Sequence, residues 1–204
     1  GNDMRMLVSD MAGRASIELK SQELGVDLGG DKELITRIVE RVKDMESKGF
    51  TFEAADASFE LLVREEIAKK RPSFFTVEHW LTSVESDANG SIVTKAEVTV
   101  TANGQSLVCT GSGNGPVNAF DTALRSGLSQ LYPELAELEL TDYKVRILEG
   151  RQGTSAVTRV LVETSDGEGE WTTVGVHENV IAASEMALEE AVTYGLLRKG
   201  IKPE

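Results

Sequence analysis

Apolar residues change their spacing close to Pro72. Before it they recur every three or four positions; after it alternating stretches set in, each set followed by a helical one. Leu34, Ile35, Ile38, Val39, Val42 and Met45 follow Asp31 at helical spacing, and Gly49 stands where a helix C-cap belongs. A second helix is predicted over 54–70, burying Ala57, Leu61, Leu62 and Ile67. Its acids, interleaved with small residues in Phe52-Glu-Ala-Ala-Asp-Ala-Ser-Phe-Glu-Leu-Leu62, are expected to face solvent. Arg71-Pro72 is its expected stop, because the residue before a proline is pushed out of the helical region. Residues 13–24 read as a third helix with a thin apolar face, ended by Gly25.

Beyond Phe74 the pattern is that of strands, and it occurs twice. Val98-Thr-Val100 leads through Asn103-Gly104 and Leu107-Val-Cys109 into Gly111-Ser-Gly-Asn-Gly-Pro-Val-Asn-Ala119. Val160-Leu-Val162 leads through Asp166-Gly167 and Trp171 into Gly175-Val-His-Glu-Asn-Val-Ile-Ala-Ala183. Gly111 and Gly175, Ala119 and Ala183, and Ala123 and Ala187 correspond at a constant offset of 64 positions. Asn-Gly between alternating strands is a strong hairpin signal. The predicted order is three strands and a helix, twice, with a helix covering one face of each antiparallel sheet. The fold class is therefore α+β: a helical segment over 1–72, then a duplicated βββα domain over 73–204, with repeats at about 74–135 and 138–200.

Net charge of −13 argues against a nucleic-acid partner, whose phosphates are bound by Lys and Arg. No apolar run approaches the roughly 20 residues of a membrane span, so no membrane partner is expected. No signal peptide is visible, and one cysteine fits a reducing, cytoplasmic setting. The chain begins Gly1-Asn2 rather than with Met, which suggests a piece of a longer protein.

The glycine-led turns invite two readings. Gly111 to Pro116 is neither G-x-G-x-x-G nor a G-K-[ST] loop, and its strand belongs to a hairpin, so a nucleotide cradle is not expected. A tight helix start and a set of backbone N–H groups offered to a small carboxylate both remain open. His79 and His177 lack the Cys or carboxylate neighbours of a zinc site and read as surface or capping residues. Cys109 reads as a buried small hydrophobe. Asp166-Gly-Glu-Gly-Glu170 lacks the later ligands of a calcium loop and reads as a solvated hairpin tip. No catalytic constellation is evident, and no metal or cofactor is expected for this chain.

Three stretches together carry a resemblance: Val8-Ser-Asp-Met-Ala-Gly-Arg14, Gly49 to Leu62, and the pair Gly113 to Ala119 with Val174 to Ser184. They resemble the C-terminal linker and regulatory (LeuA dimerisation) domain of the citramalate synthase and isopropylmalate synthase family, the second stretch being nearer the citramalate branch. The resemblance implies a parent acyltransferase. Its N-terminal TIM barrel, absent here, condenses acetyl-CoA with a 2-oxo acid on a divalent metal. Residues 1–72 would be the helical linker. The rest would form a homodimer that binds an end-product amino acid, isoleucine in the citramalate branch and leucine in the other. By motif, the effector residues would be Val117, Asn118 and Ala119; Leu140, Tyr143 and Ile147; Gly153, Thr154 and Val157; and Glu178, Asn179 and Val180. Family members often carry an acid where this chain has Asn118. One methylene in an apolar slot discriminates by only about 1–3 kcal/mol, so isoleucine and leucine both stay open. A dimerisation module without a ligand is a further alternative.

Overall fold

Asp31 sets the frame of the helical segment. Its Oδ1 accepts the N–H groups of Glu33 and Leu34 at 3.0 and 3.1 Å, capping the second of three helices. The computed structural model describes residues 13–148 and 156–203. Its helices here are α1 (Arg14–Glu23), α2 (Lys32–Ser47) and α3 (Asp56–Ala68). Gly49 follows α2 with φ of +110°, a left-handed conformation open to glycine. Ile17, Ile35, Ile38, Phe52 and Phe59 build the shared core, with Phe52 and Phe59 meeting edge to face at 6.3 Å.

Three expectations about α3 need correction. The helix stops at Lys69, which takes φ of 53°, two residues before Arg71. A left-handed C-cap ends it, and the proline is not needed. Ile67 lies past the buried run of residues 57–63 and is 45% exposed. That run is buried on every side of the helix, so Ser58 and Glu60 are inside rather than facing solvent. Glu60 is satisfied there by Arg64, whose Nε donates to Oε1 at 2.8 Å. Buried Lys20 of α1 donates to Asp56 at 2.7 Å, tying α1 to the first turn of α3.

The duplicated region follows the alternating pattern closely. Strands β1 (Thr76–Ser86), β2 (Ile92–Ala102) and β3 (Gln105–Gly113) form a sheet in that order and lead into α4 (Pro116–Leu128). A short 3-10 turn over Pro133–Glu137 follows. Strands β4 (Glu139–Leu148), β5 (Val157–Ser165) and β6 (Glu170–His177) form the second sheet and lead into α5 (Val180–Arg198). The fold is α+β with a doubled βββα order. Asn103 and Gly104, with φ of 50° and 69°, close the first hairpin in the primed turn that matches strand twist.

The 64-position offset holds in the hydrogen-bond register. Ala96 faces Gly111 across β2 and β3, and Val160 faces Gly175 across β5 and β6. Both glycines are required by close helix packing. A Cβ on Gly111 would sit 2.6 Å from the Ala119 carbonyl oxygen and 2.9 Å from Ala123 Cα. One on Gly175 would sit 3.0 Å from the Ala187 nitrogen and collide with the Ala183 carbonyl.

The described residues up to Pro72, with Leu140–Ser165 and Gly169–Ala191, make one compact unit. Ser73–Glu139, Asp166–Glu168 and the described residues from Val192 make a second. In the first unit the β4–β6 sheet is covered on both faces. Packing α5 on one face brings the Thr173 hydroxyl to the Ala187 carbonyl at 2.6 Å. On the other face Arg159 donates to the Gly49 carbonyl, and Leu148, Val157 and Val176 surround Gly49. One helix per sheet was expected; the helical segment supplies a second layer. In the second unit α4 packs on the β1–β3 sheet, and Phe74 and Tyr132 meet edge to face at 5.8 Å.

Candidate functional site

The two helix starts obey the same local rules with different side chains. At α4 the N-cap is Gly115, in extended conformation, and Pro116 occupies the first turn, where its missing N–H costs nothing. No side chain caps this helix. Val117 is half-buried, Asn118 exposed and Ala119 buried, with the Ala119 N–H donating to the Gly115 carbonyl at 2.9 Å. The Asn118 carboxamide lies over Gly113, where a Cβ would displace it. The first turn carries no acid, so the positive end of the helix dipole is uncompensated by its own side chains.

At α5 the same position is filled. Asn179 Oδ1 accepts the N–H groups of Ile181 and Ala182 at 2.8 and 3.2 Å. The Asn179 N–H donates to His177 Nδ1 at 2.9 Å. His177 thus takes the capping role read for it, and Asn179 serves the helix directly. Glu178, Asn179 and Val180 are all exposed, Val180 by 38%.

Tyr143 is the candidate that the structure ties most firmly to this helix start. Its hydroxyl lies 2.9 Å from Ser184 Oγ, which donates to the Val180 carbonyl at 2.6 Å. Tyr143 and Val180 therefore share one cluster on the α5 side of the sheet. Ile147, farther along β4, is 68% exposed, and Leu140 is half-buried. Val157 stands apart from Tyr143: it is on the opposite face of the sheet, directed at Gly49 with Leu148 and Val176. Val117, Asn118 and Ala119 belong to the other compact unit. Gly153 and Thr154 lie outside the described residues. Ser184 was missed as Tyr143's partner. Its signal is a polar residue at the position matching Phe120, which in the first repeat packs on Trp80 at 6.3 Å.

Electrostatics single out α5. Burial pushes the Glu185 carboxyl up to about 7, helped by the nearby Glu189 charge. Burial likewise raises Glu189 and takes Glu190 to about 7, against the pull of Arg71. Asp166, expected at a solvated hairpin tip, is buried instead. Its Oδ1 accepts the Glu168 N–H at 3.1 Å, and Arg198 Nε donates to Oδ2 at 3.3 Å. Cys109 is buried as expected, its thiol pushed up by burial. Among the described residues, no three His, Cys, Asp or Glu side chains cluster in a way that could hold a metal ion. No helix among them is long and apolar enough to cross a membrane.

Known proteins fit this arrangement. The LeuA allosteric (dimerisation) domain matches residues 53–196. A (R)-citramalate synthase of Streptomyces coelicolor is 62% identical over 203 residues, covering 100% of this chain and 38% of that protein. One from Synechocystis is 45% identical, covering 96% of this chain and 36% of that protein. A probable 2-isopropylmalate synthase of Methanopyrus kandleri is 28% identical over 94% of this chain and 36% of its own length. The chain spans well under half the length of these curated relatives. With its doubled βββα order and the matched span, the chain belongs to the LeuA allosteric (dimerisation) domain family, the regulatory domain of the citramalate and isopropylmalate synthases.

Proposed function

We propose that this chain is the feedback-regulatory region of a (R)-citramalate synthase, binding isoleucine and mediating homodimerisation. The observation that carries this reading is the 62% identity to the Streptomyces coelicolor citramalate synthase along the whole chain. Isopropylmalate synthases match at 25–28%. The parent enzyme condenses acetyl-CoA with pyruvate in the cytoplasm, on a divalent metal held by an N-terminal barrel. Residues 1–72 link that barrel to the regulatory domain of residues 73–204, and this chain alone needs no cofactor and catalyses nothing.

Effector roles follow from chemistry. An amino acid needs N–H donors for its carboxylate, an acceptor for its ammonium and apolar surface for its side chain. The uncapped α4 start, at Val117, Asn118 and Ala119, supplies donors of the first kind. Leu140, Tyr143, Ile147, Val157, Glu178, Asn179 and Val180 take the roles of apolar slot and ammonium acceptor from the resemblance. Gly153 and Thr154 are assigned to the effector by resemblance alone. Calorimetry with isoleucine, leucine and valine tests the reading. Isoleucine is expected to give the strongest binding. A preference for leucine would move the chain to the isopropylmalate branch, and no heat with any of the three at millimolar concentration would leave only a dimerisation module.

A further inference from the structure

Glu190 of α5 is a half-buried acid for which effector binding has no use. Ser58 Oγ donates to its Oε2 and accepts the Val174 N–H at 2.9 Å. Arg71, just past α3, donates from Nη2 to its Oε1 at 3.1 Å. One hydroxyl, 3% exposed, thus joins α3, the edge strand β6 and α5. A cavity of about 30 Å³ with room for a water lies beside the carboxyl, with Arg41, Phe50 and Phe52 in its wall.

The charges around Glu190 come from each neighbouring element. Arg71 is the cation held on it, and Glu65 of α3 and Glu189 of α5 add negative potential. Arg41 of α2 faces the same cavity but is engaged by Glu65 and Glu66 at 2.9 and 2.7 Å. From β6 the contact is the backbone N–H of Val174, carried through Ser58.

We propose that Ser58 and Glu190 form a proton-sensitive latch that holds α1–α3 on the second repeat, closed when Glu190 keeps its proton and loosened when it ionises, with the Arg71 cation favouring the ionised form. Burying a carboxylate among Glu65 and Glu189 with one partly exposed arginine is unfavourable, whereas a neutral carboxyl keeps the Ser58 hydrogen bond without that penalty. The sign follows from linkage. Burial raises the docked carboxyl to about 7 from its ordinary 4.5, so docking binds the proton. The stabilisation is complete below the ordinary carboxylate range and is lost as pH rises through about 7. Any bearing on feedback rests on the effector reading; the latch itself does not.

The test is amide exchange at Val174 in the 204-residue chain at pH 5.5 and 8.5, corrected for intrinsic exchange rates. Protection in the unaltered chain is expected to fall at least about tenfold over this range, since one pKa unit corresponds to a tenfold change. In Glu190→Gln, which cannot ionise, the two protection factors should agree within about twofold. An equal pH dependence in both proteins, or none in the unaltered chain, would overturn the proposal. Ser58→Ala removes the acceptor for Val174 and should lower its protection at both pH values. Unchanged protection in that variant would equally sink the latch.

Discussion

The two βββα repeats share their register and differ in what surrounds it. Gly111 and Gly175 occupy equivalent strand positions and admit equivalent alanines of the following helix. Beyond this common frame, the first repeat packs Phe120 on Trp80, while the second places Ser184 against the Tyr143 hydroxyl. The first helix starts on a glycine that caps nothing; the second is capped by Asn179. Leu81 and Val108 of the first sheet are 58% and 66% exposed, whereas Val174 of the second is 1% exposed beneath the helical segment. Duplication has kept the backbone contacts that tolerate no side chain. Side-chain positions around them differ: one helix start is uncapped, the other is capped, and one sheet is joined to the helical segment.

The sharpest way to break the equivalence is at the apolar and polar pair. Phe120→Ala is expected to cost about 3–5 kcal/mol, as large buried truncations do. Ser184→Ala, which removes one hydrogen bond and almost no volume, should cost about 1 kcal/mol in the same urea titration. Similar losses at the two positions would contradict the different packing of the repeats. The shared frame predicts the opposite outcome at the glycines. Gly111→Ala and Gly175→Ala should each cost about 2–3 kcal/mol, because a helix backbone must retreat from the new Cβ. If either is tolerated, that repeat lacks the close helix contact.

The smallest stability effects, and the most informative for function, lie at the helix starts. Asn179→Ala should cost about 1 kcal/mol through loss of the α5 cap. Gly115→Asp should stabilise α4 by only a few tenths of a kcal/mol, since glycine is nearly as good a cap. It would also set a carboxylate at the N–H groups assigned to the effector. Isoleucine binding should then disappear from calorimetry while thermal unfolding barely moves. Retained binding would place the carboxylate elsewhere.

Much of this molecule could be read before it was seen folded. Alternation from Ile92, the Asn103-Gly104 turn and the 64-position offset located β2, the first hairpin and both helix starts closely, because hairpins and caps are local and repeat their own chemistry. The candidate site was legible only in part. Tyr143 and Val180 do share a cluster, but nothing local could show that Ser184 links them or that Val157 turns to the other face of the sheet.

Amino-acid order alone determined the sequence of elements, the duplication and the absence of a recognisable catalytic or nucleotide-binding motif. Tertiary structure decided which acids are buried. Glu60 and Asp166 look like solvated carboxylates in the chain, for local pattern records only the face a helix or turn presents. They are enclosed because elements distant in sequence close over them: α3 meets β6 and α5 at Ser58, and Arg198 reaches Asp166. Burial is a property of the assembled elements, and at Glu190 it raises the carboxyl's proton affinity. The same residue types in an isolated helix would be ordinary surface charges.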